Sequence, residues 1–134
     1  MKNFTLVVLL FFFGLGIQAQ VKKEDPLMQE VMELHDSIMA KMPRTVNYIN
    51  QLQAKAQNTA ETPEIRTAIT HLKKANQSMT DWMQGFGKQF SADEMFGKKA
   101  LSKEKIHILE QEKIKILAVG EQIKASMEGA EKVL

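Results

Sequence analysis

I-R-T-A-I-T-H-L-K-K-A-N-Q-S-M-T-D-W-M-Q-G-F, Ile65 to Phe86, is the most regular stretch of the chain. Its apolar residues Ile65, Ala68, Leu72, Ala75, Met79, Trp82 and Phe86 alternate in steps of three and four. A helix turns once in about 3.6 residues, so this spacing lines them up as a single seam that packs along another helix. Thr62-Pro63-Glu64, just before it, is a helix start. The threonine supplies an oxygen for a free amide, the proline has no amide to orphan, and the acid sits in the first turn. Gly85 and Gly87 read as the stop.

Upstream, Asp25-Pro26 repeats the start signal, and the pattern predicts a helix from there to about Gln57. Pro43 interrupts it; a proline removes one backbone bond and crowds the preceding turn, so a bend is expected near Ala40. Met28, Met32, His35, Met39 and Met42 form one row along this helix, and Leu27, Val31, Leu34 and Ile38 form a second beside it. Glu30, Glu33, Asp36, Ser37 and Lys41 fill the remaining arc, so the helix is amphipathic with a wide apolar face. The polar turn Asn58 to Thr62 is short, which sets the two helices antiparallel and brings Met79 and Trp82 to the Met-rich end.

Downstream, Lys88 to Ala100 reads as irregular, with Ser91-Ala92-Asp93-Glu94 fitting a capping box for one short helical turn. A third helix follows from Ser102 through Ile106, Leu109, Ile116, Gly120, Ile123, Met127 and Ala130 to about Lys132, its row broken at Lys113. Ile108, Ile114 and Val119 fall off that row and widen the apolar surface, for both other helices or for a second copy of the protein. The expected architecture is all-α, an elongated antiparallel three-helix bundle of coiled-coil type, forming one domain over residues 20–134.

The first residues read as an address. Lys2 is followed by an apolar run of twelve residues, Leu6 to Ile17, and Ile17-Gln18-Ala19 ends in a small residue suited to cleavage. That is the pattern of a secretory signal peptide over residues 1–19, too short to span a bilayer as a helix of about 20 apolar residues. Export to the periplasm or the exterior is therefore expected. The whole chain has 134 residues, 44% apolar and 25% charged, which is room for one soluble domain. Eighteen Lys and Arg against 16 Asp and Glu leave +2, no footprint for nucleic acid or an anionic membrane. With no cysteine, disulfides, thiolate metal sites and a thiol nucleophile are excluded.

Candidate chemistry is sparse. Thioethers and imidazole suit Cu(I), so His35 with Met32 and Met39 is a candidate soft-metal site, copper first and haem second. The competing reading is that flexible methionines fill an irregular helix interface. Glu104-x-x-His107 has the spacing of half a di-iron carboxylate site, but no second half exists, and it reads as a solvated face. Trp82, Phe86, Phe90 and Phe96 either plug one end of the helices or, ringed by Lys88, Lys98 and Lys99, face a partner. No catalytic triad or cofactor fingerprint is visible, so an enzyme is not expected. The expected working surface is Met28 and Met42 with Trp82, Phe86, Phe90 and Phe96, used for protein interaction.

V-M-E-L-H-D-S-I-M-A-K-M, Val31 to Met42, with M-T-D-W-M-Q-G-F, Met79 to Phe86, resembles a family of small exported helical proteins of the Bacteroidota, some labelled "viral A-type inclusion protein". The leader ending in Ala-Gln is similar too. Family members often place a proline two residues before the last Lys-Met of the first string, whereas here Pro43 follows Met42. The resemblance implies an exported helical protein and carries over no activity and no functional residue.

Overall fold

The computed structural model describes residues 24–134; the expected signal peptide and its cleavage after Ala19 lie outside them. The chain forms helices α1 (Pro26–Met39), α2 (Met42–Thr59), α3 (Pro63–Gln89), α4 (Ala92–Met95) and α5 (Lys103–Glu131), with no strand among the described residues. The class is all-α, as expected.

The starts are those the sequence marks. Asp25 Oδ1 accepts from the amides of Leu27 at 2.9 Å and Met28 at 3.3 Å, and Thr62 Oγ1 accepts from Ile65 at 3.3 Å. Ser102 caps α5 through the Lys105 amide at 3.2 Å. Ser91 and Glu94 close a reciprocal capping box around α4, so at least one free first-turn amide is satisfied at each of these starts.

The single bent helix expected over residues 25–57 is two helices. Pro43 has no amide to give the Met39 carbonyl, so the ladder stops there. The amides of Ala40 and Lys41 turn back to Asp36 and Ile38, at 3.0 and 2.9 Å, and those of Arg44 and Thr45 restart the helix on the Lys41 carbonyl, at 3.0 and 3.2 Å. The break re-aims the chain, because α1 packs mainly against α5 and α2 mainly against α3. One seam nevertheless continues across it in steps of three and four: Met28, Val31, His35, Ile38, Met42, Thr45, Ile49 and Leu52.

A second correction concerns the glycines. Gly85 and Gly87 do not stop α3, which runs through both to Gln89. Each costs the helix about 1 kcal/mol relative to alanine. Burying Phe86 and Phe90, which the continued helix accomplishes, recovers about 1.5–3 kcal/mol apiece.

Helix α5 follows a different seam from the one its apolar residues suggest. The buried positions are Leu109, Glu112, Ile116, Val119, Ile123, Ser126 and Ala130, an unbroken three-four alternation. Gly120 lies beside it for a reason of space: a Cβ there would meet Ile38 Cδ1 at 3.2 Å. Lys113 reaches Glu30 at 2.6 Å and Arg44 reaches Glu131 at 3.2 Å, so α1 and α2 run the same way as α5, with α3 against them. Two core clusters result. A head cluster joins Met28, Val31, Ile38, Met79, Trp82, Phe86 and Phe90 to Leu109, Ile116, Val119 and Ile123 of α5, and a tail cluster joins Tyr48, Leu52, Ile65, Ala68, Ile69, Leu72 and Ala130.

Candidate functional site

Trp82, Phe86 and Phe90 climb one face of α3 and stack in sequence, with ring centroids 4.7 Å apart at each step. The indole N–H donates to the Glu112 carbonyl at 3.3 Å, so the stack is tied to α5. Of the six residues expected to meet a partner, Met28, Trp82, Phe86 and Phe90 are buried in the head cluster and Met42 is half-buried. Phe96 alone is fully presented, at 67% exposure.

The loop carrying Phe96 is held from several sides. Gly97 has φ 70, a backbone that side chains rarely adopt, and a Cβ there would lie 2.9 Å from the Glu24 Cα. The loop therefore closes over the start of α1. Glu94, buried under it, accepts from the Ser91 amide at 2.9 Å and lies 3.7 and 3.8 Å from Lys99 and Lys105. The Ser91 amide, then the Lys105 charge, hold its carboxyl below the ordinary range against the opposing effect of burial. Lys105 also donates to the Gln89 carbonyl and lies 5.1 Å over the Phe90 ring. An open hollow of ≈ 340 Å³ lies between Glu24, Asp25, Glu94, Lys99 and Leu101.

The three metal candidates sit on the flank of the same cluster. Met32 and Met39 are half-buried against it, and His35 lies between them with its side chain 18% exposed. His35 Nδ1 is 2.8 Å from Asp36 Oδ1, and its ring is 6.0 Å from that of Trp82 at 32°. His71 and His107 are exposed, and His107 pairs with Glu110 at 3.3 Å, not with Glu104. Among the described residues, no three His, Asp or Glu side chains are grouped to hold a metal ion.

Sequence reasoning missed the polar members of the seams. Glu112 is 5% exposed with its carboxylate turned out to Lys115 at 2.7 Å, and the buried Thr45 hydroxyl is 2.7 Å from Asn76 Oδ1. The signal for Glu112 was present, since it falls in step between Leu109 and Ile116.

No family model matches the chain, and neither the curated proteins nor the solved structures hold a match to it. The resemblance to the Bacteroidota family thus rests on its two quoted strings. No helix among the described residues is long and apolar enough to cross a membrane.

Proposed function

We propose that this chain is a non-catalytic, exported cell-envelope protein, an elongated antiparallel three-helix bundle that binds another protein through its α4 end. The observation that carries this reading is Phe96, an aromatic ring 67% exposed on a loop that is itself immobilised by Gly97, Glu94 and the Ser91 capping box. A ring presented by a braced loop has less backbone freedom to lose on binding, which is a property of an interface anchor.

The test is site-specific photo-crosslinking in the native cell envelope. A photoreactive residue at position 96 should give one discrete adduct, and the same residue at Gln77, exposed on α3, should give none. Phe96→Ala should weaken capture at least about tenfold with the melting temperature unchanged, as expected for a hot-spot truncation of 1.4 kcal/mol or more. Absence of an adduct at 96, or recovery of the unprocessed chain in the cytosol in place of a mature form starting at Gln20, would overturn the reading.

A further inference from the structure

We propose that α1 carries a Cu(I) site made of the Met32 and Met39 thioethers and His35 Nε2, with the Trp82 ring as its wall. The inference does not rest on the role given to Phe96.

His35 stands at a seam position, in step with Met28, Val31 and Ile38, where helix packing favours an aliphatic side chain and a polar one costs stability. Among the described residues its one hydrogen bond runs outward, from Nδ1 to the Asp36 carboxylate at 2.8 Å. A carboxylate there accepts a hydrogen bond from Nδ1–H, which puts the ring's lone pair on Nε2, the arrangement that orients metal-binding imidazoles.

Met32 and Met39 lie three residues before and four after His35, so both are its neighbours on one helix face, with Cβ atoms about 5–6 Å from that of His35. Each thioether ends a side chain with three rotatable bonds, enough freedom to turn toward a shared ion beside the imidazole. The two methionines that fill core space are others: Met28 and Met79 are fully buried, whereas Met32 and Met39 are half-buried at the edge of the cluster. They can move without opening a void. Met39 also ends α1, where the missing Pro43 amide has already loosened the ladder.

The donor set selects the ion. Two thioethers and one imidazole suit Cu(I) better than zinc or calcium, which prefer nitrogen, thiolate or oxygen. The Trp82 ring, its centroid 6.0 Å from that of His35, lies beside the imidazole and, as the chain's single tryptophan, serves as an internal reporter.

The test is titration of the mature protein, Gln20 to Leu134, with Cu(I) under anaerobic conditions against a chromogenic Cu(I) chelator. One equivalent should be withdrawn from the chelator, with parallel quenching of Trp82 fluorescence. His35→Ala and the pair Met32→Leu with Met39→Leu should abolish both signals. Asp36→Asn, which disturbs only the orientation of the imidazole, should weaken binding by about tenfold. Met28→Leu, a buried neighbour, should leave it unchanged, as should Phe96→Ala, so that this proposal and the partner-binding one fail separately. Cooperative melting of every variant guards against simple unfolding. Failure to withdraw Cu(I), retention of binding in the paired Leu variant, or equal loss in Met28→Leu would each overturn the site.

Discussion

The two ends of the molecule solve the same packing problem with different materials. The tail, where α2 turns into α3, is closed by Leu52, Ile65, Ala68, Leu72 and Ala130. It is finished at the surface by Tyr48 donating to Glu131 at 2.6 Å and Lys55 donating to the Val133 carbonyl at 2.7 Å. The head is closed by a ladder of three aromatic rings, two buried methionines and a glycine-dependent loop, with a histidine in its seam. The tail closes with aliphatic and small residues and a single buried ring, that of Tyr48. The costlier and more specific side chains gathered at the head are the reason to look there for function.

The largest consequence of that contrast concerns stability. Phe86 stacks against both Trp82 and Phe90, so Phe86→Ala should cost about 4–5 kcal/mol by urea denaturation, cavity and ring contacts together. Leu52→Ala in the tail should cost about 3 kcal/mol. Equal losses would mean that the aromatic ladder is ordinary core and that the two ends differ only in composition.

The same contrast governs what could be read from sequence. The α3 seam was fully legible because all seven of its members are apolar, and all seven are buried. The α5 seam was not, because Glu112 and Ser126 occupy positions where an apolar count finds a gap. Glu112 covers its aliphatic stem and sends its carboxylate outward to Lys115, while Ser126 satisfies its hydroxyl on the Ile123 carbonyl at 2.8 Å. Local glycine rules misplaced the end of α3, since tertiary burial of Phe86 and Phe90 outweighs them. The His35–Trp82 proximity follows from an antiparallel α3 and was foreseeable, whereas the Gly97–Glu24 contact joins residues whose pairing no periodicity encodes.

Glycine exchange sharpens the comparison further. Gly97→Ala should destabilise by about 2 kcal/mol, from the left-handed backbone and from the contact with the Glu24 backbone, and the loss should expose the head. Gly85→Ala and Gly87→Ala, where a Cβ meets open space in mid-helix, should each stabilise by about 0.5–1 kcal/mol. The tail offers the converse case. Ala60, between α2 and α3, has φ 84, so Ala60→Gly should stabilise by about 1 kcal/mol in thermal or urea unfolding. A loss there would show that the turn is fixed by something other than its own backbone.

The smallest and most selective effect is that of pH, which loosens the two ends from opposite sides. Glu94 at the head is held below its ordinary 4.5 mainly by the Ser91 amide, so the folded state favours the carboxylate. Its contribution is complete above pH 4.5 and disappears as pH falls through the lowered value. Tyr48 at the tail is raised above 10.0, chiefly by its hydrogen bond to Glu131, so the folded state favours the neutral phenol. Its contribution is complete below pH 10 and declines as pH climbs toward the raised value. Glu64, lowered by its own backbone amide and Thr62, adds a second acid-sensitive group at the start of α3, away from the head. Acidification of a Glu64→Gln background should therefore change Trp82 fluorescence through Glu94, and Glu94→Gln should flatten that limb while leaving the alkaline one. Tyr48→Phe should flatten the alkaline limb alone. If Glu94→Gln left the acid limb of Trp82 fluorescence unchanged, the clasp over Gly97 would not be what keeps the head closed.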